Sequence, residues 1–135
     1  MIENGQTFNH DFKFTQADVA AFAQVTGDKN PVHLDPAYAA KTFFKKPIMH
    51  GMLGASLFSK VFGTLFPGEG TIYLKQSLSF LKPMYVDIDY VAEFVVKEVL
   101  KDKNRAIIET LIKDKTSGLV VTSGEAVVMN VERIK

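Results

Sequence analysis

Apolar residues change their spacing along this chain, and the changes mark out its elements. Phe8, Phe12 and Phe14 alternate with polar neighbours over residues 5 to 14, which predicts a strand whose apolar face is interrupted by a water-facing His10. Thr15 and Asp18 resemble a capping box with Asp in place of Glu. Val19, Phe22, Ala23 and Thr26 then recur at helical spacing, so an amphipathic helix is expected to end at Thr26 with Gly27 as its left-handed cap. From Gly51 to Phe62 the pattern nearly loses its polar face, because Met52, Leu53, Ala55, Leu57, Phe58, Val61 and Phe62 leave only Ser56, Ser59 and Lys60. A helix apolar on most sides has to be enclosed by other elements.

After Gly70 the period becomes two. Ile72, Leu74, Leu78 and Phe80, with Gln76 among them, share one face of a predicted strand. Val86, Ile88, Tyr90, Ala92, Phe94 and Val96 form the next, and Ala106, Ile108, Thr110 and Ile112 a third. Asp102-Lys103-Asn104 and Lys115-Thr116-Ser117-Gly118 read as turns, the second leading into Leu119 to Val131. Long strands joined by tight turns imply an antiparallel sheet, and a sheet curled around one buried helix satisfies both patterns. The expected class is therefore α+β, with open sheet edges that favour pairing of two subunits into a homodimer.

Composition narrows the function classes. With 135 residues, 47% of them hydrophobic, the chain fits one globular domain over residues 1 to 135. There is no cysteine, which excludes disulfides, thiol catalysis and thiolate metal sites. A net charge of +1 with both signs mixed gives no footprint for nucleic acid. No basic leader precedes an apolar segment and no apolar run reaches spanning length, so a soluble, cytoplasmic protein without a membrane partner is expected.

The candidate chemistry lies in Thr26-Gly27-Asp28-Lys29-Asn30-Pro31-Val32-His33-Leu34-Asp35-Pro36. Asp28 and His33 are five apart and miss the shared face of a helix, while Pro31 restricts Asn30 to extended or turn geometry. An irregular loop carrying both side chains into one cavity is the expected picture. Asp35 and Pro36 read as an N-cap and first helical residue of a short helix near residues 36 to 42, and Asn30 as a turn stabiliser. Histidine exchanges protons near neutrality, and a carboxylate can orient it or act as the complementary acid and base. Spacing alone favours solvent exposure or turn capping over catalysis for the pair. His50-Gly51 falls where the buried helix should begin, so Gly51 either presents a free N–H to negative charge or merely permits a close turn. His50 is either part of the site or packed beside the loop. Asp28, His33 and His50 lack zinc-type spacing, and the glycines at 68 and 70 lack the ending of a phosphate loop.

Three segments together, Thr26 to Asp35, Pro47-Ile48-Met49-His50-Gly51-Met52, and Gln76-Ser77-Leu78-Ser79-Phe80 with Lys82-Pro83, resemble the MaoC-type dehydratases, most nearly their (R)-specific enoyl-CoA hydratases. The resemblance implies a hot dog fold, in which a curved antiparallel sheet wraps a long helix. It implies reversible syn hydration of a trans-2-enoyl thioester, in fatty acid or polyhydroxyalkanoate-precursor metabolism. Asp28 and His33 would hold and activate one water, and Gly51 N–H would bind the thioester oxygen. Asn30 would shape the loop or help orient the pair, and Ser59 and Phe62 are candidates for the acyl-pocket wall that a place in the core explains equally. No metal or redox cofactor is implied, coenzyme A being part of the substrate. From the sequence itself Lys41, Lys45, Lys46, Lys60, Lys75 and Lys82 read mostly as ordinary surface charge, with room for one or two to meet the phosphates of a bulky thioester carrier. A carrier-protein dehydratase, a hot dog thioesterase attacking C1, and a non-catalytic acyl-thioester binding protein are the alternatives.

Overall fold

The computed structural model describes residues 1–135. Strand β1 (Thr7–Phe12) leads into helix α1 (Gln16–Thr26), followed by two short helices, α2 (Pro31–Leu34) and α3 (Pro36–Ala40). Helix α4 (Gly51–Thr64) precedes strands β2 (Ile72–Gln76), β3 (Ser79–Phe80), β4 (Tyr90–Leu100), β5 (Arg105–Asp114) and β6 (Val120–Met129). The strands form one antiparallel sheet in the order β1-β4-β5-β6-β2, with β3 also paired to β6. No helix is long and apolar enough to cross a membrane.

Period-two faces explain how the sheet receives α4. Tyr90, Ala92, Phe94 and Val96 on β4 and Ala106, Ile108, Thr110 and Ile112 on β5 are all buried, as their alternation requires. Helix α4 lays Leu53, Leu57, Phe58, Val61 and Phe62 against other elements. Phe58 and Phe62 both meet Phe94 edge-on, at centroid distances of 5.7 and 5.3 Å. This is the α+β hot dog architecture, with a curved antiparallel sheet around a central helix.

Local signals hold at most boundaries. Thr15 and Asp18 form the capping box, and Gly27 caps α1 at φ +79°. Four expectations need correction. The first strand is shorter than residues 5 to 14, and His10 does not face water: it lies between Phe8 and Phe12 on their side of β1, half-buried, with Nε2 3.1 Å from Lys60 Nζ. The second long strand begins at Tyr90 because Asp87 takes a left-handed backbone (φ +61°), which breaks the extended run after Val86. The face from Ile72 to Phe80 is not one strand, since a register shift at Tyr73/Lys75 and a departure after Gln76 divide it into β2 and β3. That face is also only partly covered, with Ile72 and Phe80 about half exposed, because β2 lies at the sheet edge and an open cleft separates it from α4.

The β2–β3 departure is organised around Gly124. The Ser77 carbonyl oxygen occupies the space where a side chain at 124 would lie. Gln76 Nε2 donates to that carbonyl at 2.7 Å and to the buried Thr110 Oγ1 at 2.9 Å, satisfying a polar group on the sheet's inner face. Gly124→Ala is expected to cost roughly 1–3 kcal/mol by forcing backbone apart. Urea denaturation checks this, and a variant as stable as the parent would remove the constraint.

Candidate active site

The end of α1 delivers an exposed Asp28 on a loop, and Thr26 Oγ1 accepts from Asp28 N–H at 3.1 Å. Asn30 Oδ1 accepts from Val32 N–H at 3.2 Å and so caps α2, the single turn that carries His33. The backbone at His33 is therefore helical, not irregular as its neighbouring proline suggested. Pro31 occupies the first helical position, where its missing N–H would have had no intrahelical partner. Asp35 caps α3 by accepting from Ala37 and Tyr38 N–H at 3.0 and 3.2 Å, which accounts for its carboxylate.

His33 Nδ1 is 2.8 Å from the Ile48 carbonyl oxygen. A carbonyl only accepts, so Nδ1 carries the hydrogen and the neutral ring keeps its lone pair on Nε2. Burial lowers the His33 pKa from 6.5, with His50 pushing the same way against the opposing effects of the Ile48 carbonyl and Asp28. The result favours a free base near neutrality.

His50 sits at the N-cap of α4 with only 2% of its surface exposed. Its Nε2–H donates to the Asp28 carbonyl oxygen at 2.9 Å, tying the loop to the helix. The His50 ring lies 3.9 Å from that of His33 and 4.8 Å from Phe22, centroid to centroid. Its Nδ1 is buried without a partner. One carboxylate oxygen of Asp28 and one ring nitrogen from each histidine lie within 4.8 Å of one another. Because the His50 nitrogens are either bonded to Asp28 or enclosed, Asp28 and His33 remain as the pair open to a small molecule.

Gly51 opens α4, and its N–H meets no acceptor within the protein. A Cβ there would come within 2.7 Å of the Phe80 ring, so glycine is also required for close contact. The close contact accounts for the glycine, and its N–H is left free at the helix start. Ser59 lines an open cleft of about 400 Å³ between α4 and β2, together with Met52, Ala55, Tyr73, Leu74 and Leu78. Phe62 is not on that wall; it is 1% exposed and stands edge-on behind Tyr73 at 5.2 Å. A second cleft, of about 310 Å³, runs from Gly51 past Phe44, Phe80, Met84 and Lys82. Tyr73 and Gln76 were missed as wall residues by sequence reasoning. Their only signal was a phenol and an amide within an otherwise apolar strand pattern. The Tyr73 hydroxyl donates to Gln76 Oε1, and burial pushes its pKa up to about 12.

A helix enclosed by a curved sheet, with a carboxylate and an imidazole gathered near its N-terminal end, defines a hot dog domain. Residues 1–118 match the MaoC like domain, and the chain belongs to that family. It is 50% identical over 127 residues to an (R)-specific enoyl-CoA hydratase of Aeromonas caviae, covering 94% of each chain. A mitochondrial 3-hydroxyacyl-[acyl-carrier-protein] dehydratase of Arabidopsis thaliana is 32% identical over 93% of this chain and 76% of its own. The solved structure of an (R)-hydratase from A. caviae, described as involved in PHA biosynthesis, superposes with a TM-score of 0.91 at 47% identity, covering 96% of this chain and 97% of that one.

The desolvation of His33 generates a direct prediction. Its imidazole should titrate by NMR with a midpoint below 6.5. A midpoint at or above 6.5 in the parent protein would contradict the packing described.

Proposed function

We propose that this protein is an (R)-specific enoyl-CoA hydratase, interconverting trans-2-enoyl-CoA and (3R)-3-hydroxyacyl-CoA in the cytoplasm as a homodimer. The observation that carries the reading is the Asp28–His33 pair within 4.8 Å, a gap that one water can bridge, since each hydrogen bond spans about 2.8 Å. The A. caviae relative, aligned over nearly the full length of both chains, supports the same activity.

In the hydration direction His33 Nε2 takes a proton from that water as its oxygen bonds to C3. Electrons of the C2–C3 double bond move toward the thioester carbonyl, and Asp28, which orients the water, hands a proton to C2 on the same face. Return of the water-derived proton from His33 to Asp28 restores the pair. Gly51 N–H, at the positive end of α4, meets the thioester oxygen as enolate charge develops, so its stabilisation is greatest in the transition state. The acyl chain lies in the apolar cleft beside Ser59, with Phe62 acting on its depth through Tyr73. Asn30 contributes by capping the turn that holds His33. The uncovered β2 edge supports pairing with a second copy.

Asp28→Asn and His33→Gln should each lower kcat by about 10²–10⁴-fold on the butenoyl thioester of coenzyme A, with circular dichroism unchanged. Loss of enoyl absorbance, followed by chiral analysis, reads the reaction; release of free coenzyme A instead would make the protein a thioesterase. Phe62→Ala should extend acceptance toward longer acyl chains while costing about 3–5 kcal/mol of stability. An unchanged chain-length profile in the folded variant would remove Phe62 from substrate selection. Light scattering should give twice the 15.0 kDa chain mass.

A further inference from the structure

The two charge types are not evenly mixed along the chain. Between Pro36 and Val86 there are six lysines and one acidic residue, Glu69, against ten basic and fourteen acidic residues in the remainder. All five ion pairs of the structure use lysines outside this stretch, namely Lys13, Lys97, Lys113, Lys115 and Lys135. Lys41, Lys45, Lys46, Lys60, Lys75 and Lys82 therefore keep their charge unneutralised. Segregation of this kind focuses attraction for an anion on one part of the surface.

One of the six lines the second cleft, and three more lie on the connection that contributes to its wall. Lys82 lines the cleft, and Lys46 Nζ stands 4.4 Å above the Tyr85 ring, close to Met84 in the chain. Lys41 and Lys45 belong to the same connection, which runs from α3 to His50 and contributes Phe44 and Ile48 to the cleft wall. Phe43 sits among them with 92% of its surface in solvent, touching Phe44 edge-on at 6.0 Å. A phenylalanine so exposed gains nothing from folding. Beside unpaired lysines it offers the two things a phosphorylated nucleotide needs, a face for the base and cations for the phosphates.

We propose that the connection Lys41–Lys46, with Lys82, binds the nucleotide end of coenzyme A, the base stacking on Phe43 and the 3′-phosphate and diphosphate meeting the lysines. The assignment rests on the hydratase reading for its ligand and adds the residues that select the carrier. It also gives the substrate a direction: acyl chain in the cleft beside Ser59, thioester at Gly51, pantetheine arm along the second cleft. An acidic carrier protein would be drawn to the same lysines, but it has no need of a bare aromatic ring, and Phe43 favours the nucleotide.

The test pairs binding with turnover. Equilibrium binding of free coenzyme A should weaken by about tenfold in the double variant Lys45→Ala/Lys46→Ala and by a similar factor in Phe43→Ala, with a reduced salt dependence only in the former. The kcat/KM preference of the parent for butenoyl-CoA over butenoyl-pantetheine should fall in both variants, the change lying in KM. Equal binding of coenzyme A by parent and variants, or a parent indifferent to the nucleotide, would overturn the assignment. So would a fall in turnover of an acyl-carrier-protein thioester with coenzyme A binding intact, since the surface would then dock a protein. Failure of the hydratase reading has a separate signature: neither thioester is hydrated, while coenzyme A still binds and the variants still weaken it.

Discussion

Enclosure of α4 is the constraint on which the remaining structure depends. A helix with Leu53, Leu57, Phe58, Val61 and Phe62 buried cannot stay at a surface, and the inner faces of β4 and β5 supply the apolar wall it needs. Burial of the helix body also fixes where its first turn lies. His50 and Gly51 are thereby held at a defined point, and the Asp28 loop is fastened to that point through the His50 ring. The Asp28 loop is exposed, yet its position derives from the core.

Two histidines in contact create a local electrostatic condition that neither would have alone. Desolvation and the neighbouring ring favour the neutral form of His33, while the Ile48 carbonyl fixes which nitrogen holds the hydrogen. His50 has one nitrogen committed to Asp28 and the other enclosed without a partner. An unsatisfied buried nitrogen costs about 1–3 kcal/mol, and its retention at this place is consistent with a site whose geometry matters more than local stability.

The uncovered surfaces sort by chemistry. An apolar cleft lies on one side of α4 beside the open β2 edge, and a lysine-bordered cleft begins at Gly51. A thioester joining a hydrocarbon chain to a polyanionic carrier has the same polarity from end to end. Gly51 falls between the two, at the helix terminus suited to a carbonyl oxygen acquiring charge.

Much of this was determined by sequence alone. Alternation in β4 and β5, the loss of a polar face between Gly51 and Phe62, and the Thr15, Gly27 and Asp35 caps are local or periodic signals, and the folded chain follows them. The pairing of Asp28 with His33 was legible as a motif, but not its proximity, which depends on a helical turn that Pro31 starts when it seemed to forbid one. Tertiary structure alone decided that His50 binds the Asp28 carbonyl, that Phe62 stands behind Tyr73, and that Gln76 reaches Thr110 over Gly124. Those contacts join residues from 11 to 48 positions apart. Periodicity reports which way a side chain faces on its own element; only the packing of one element on another decides what it meets there.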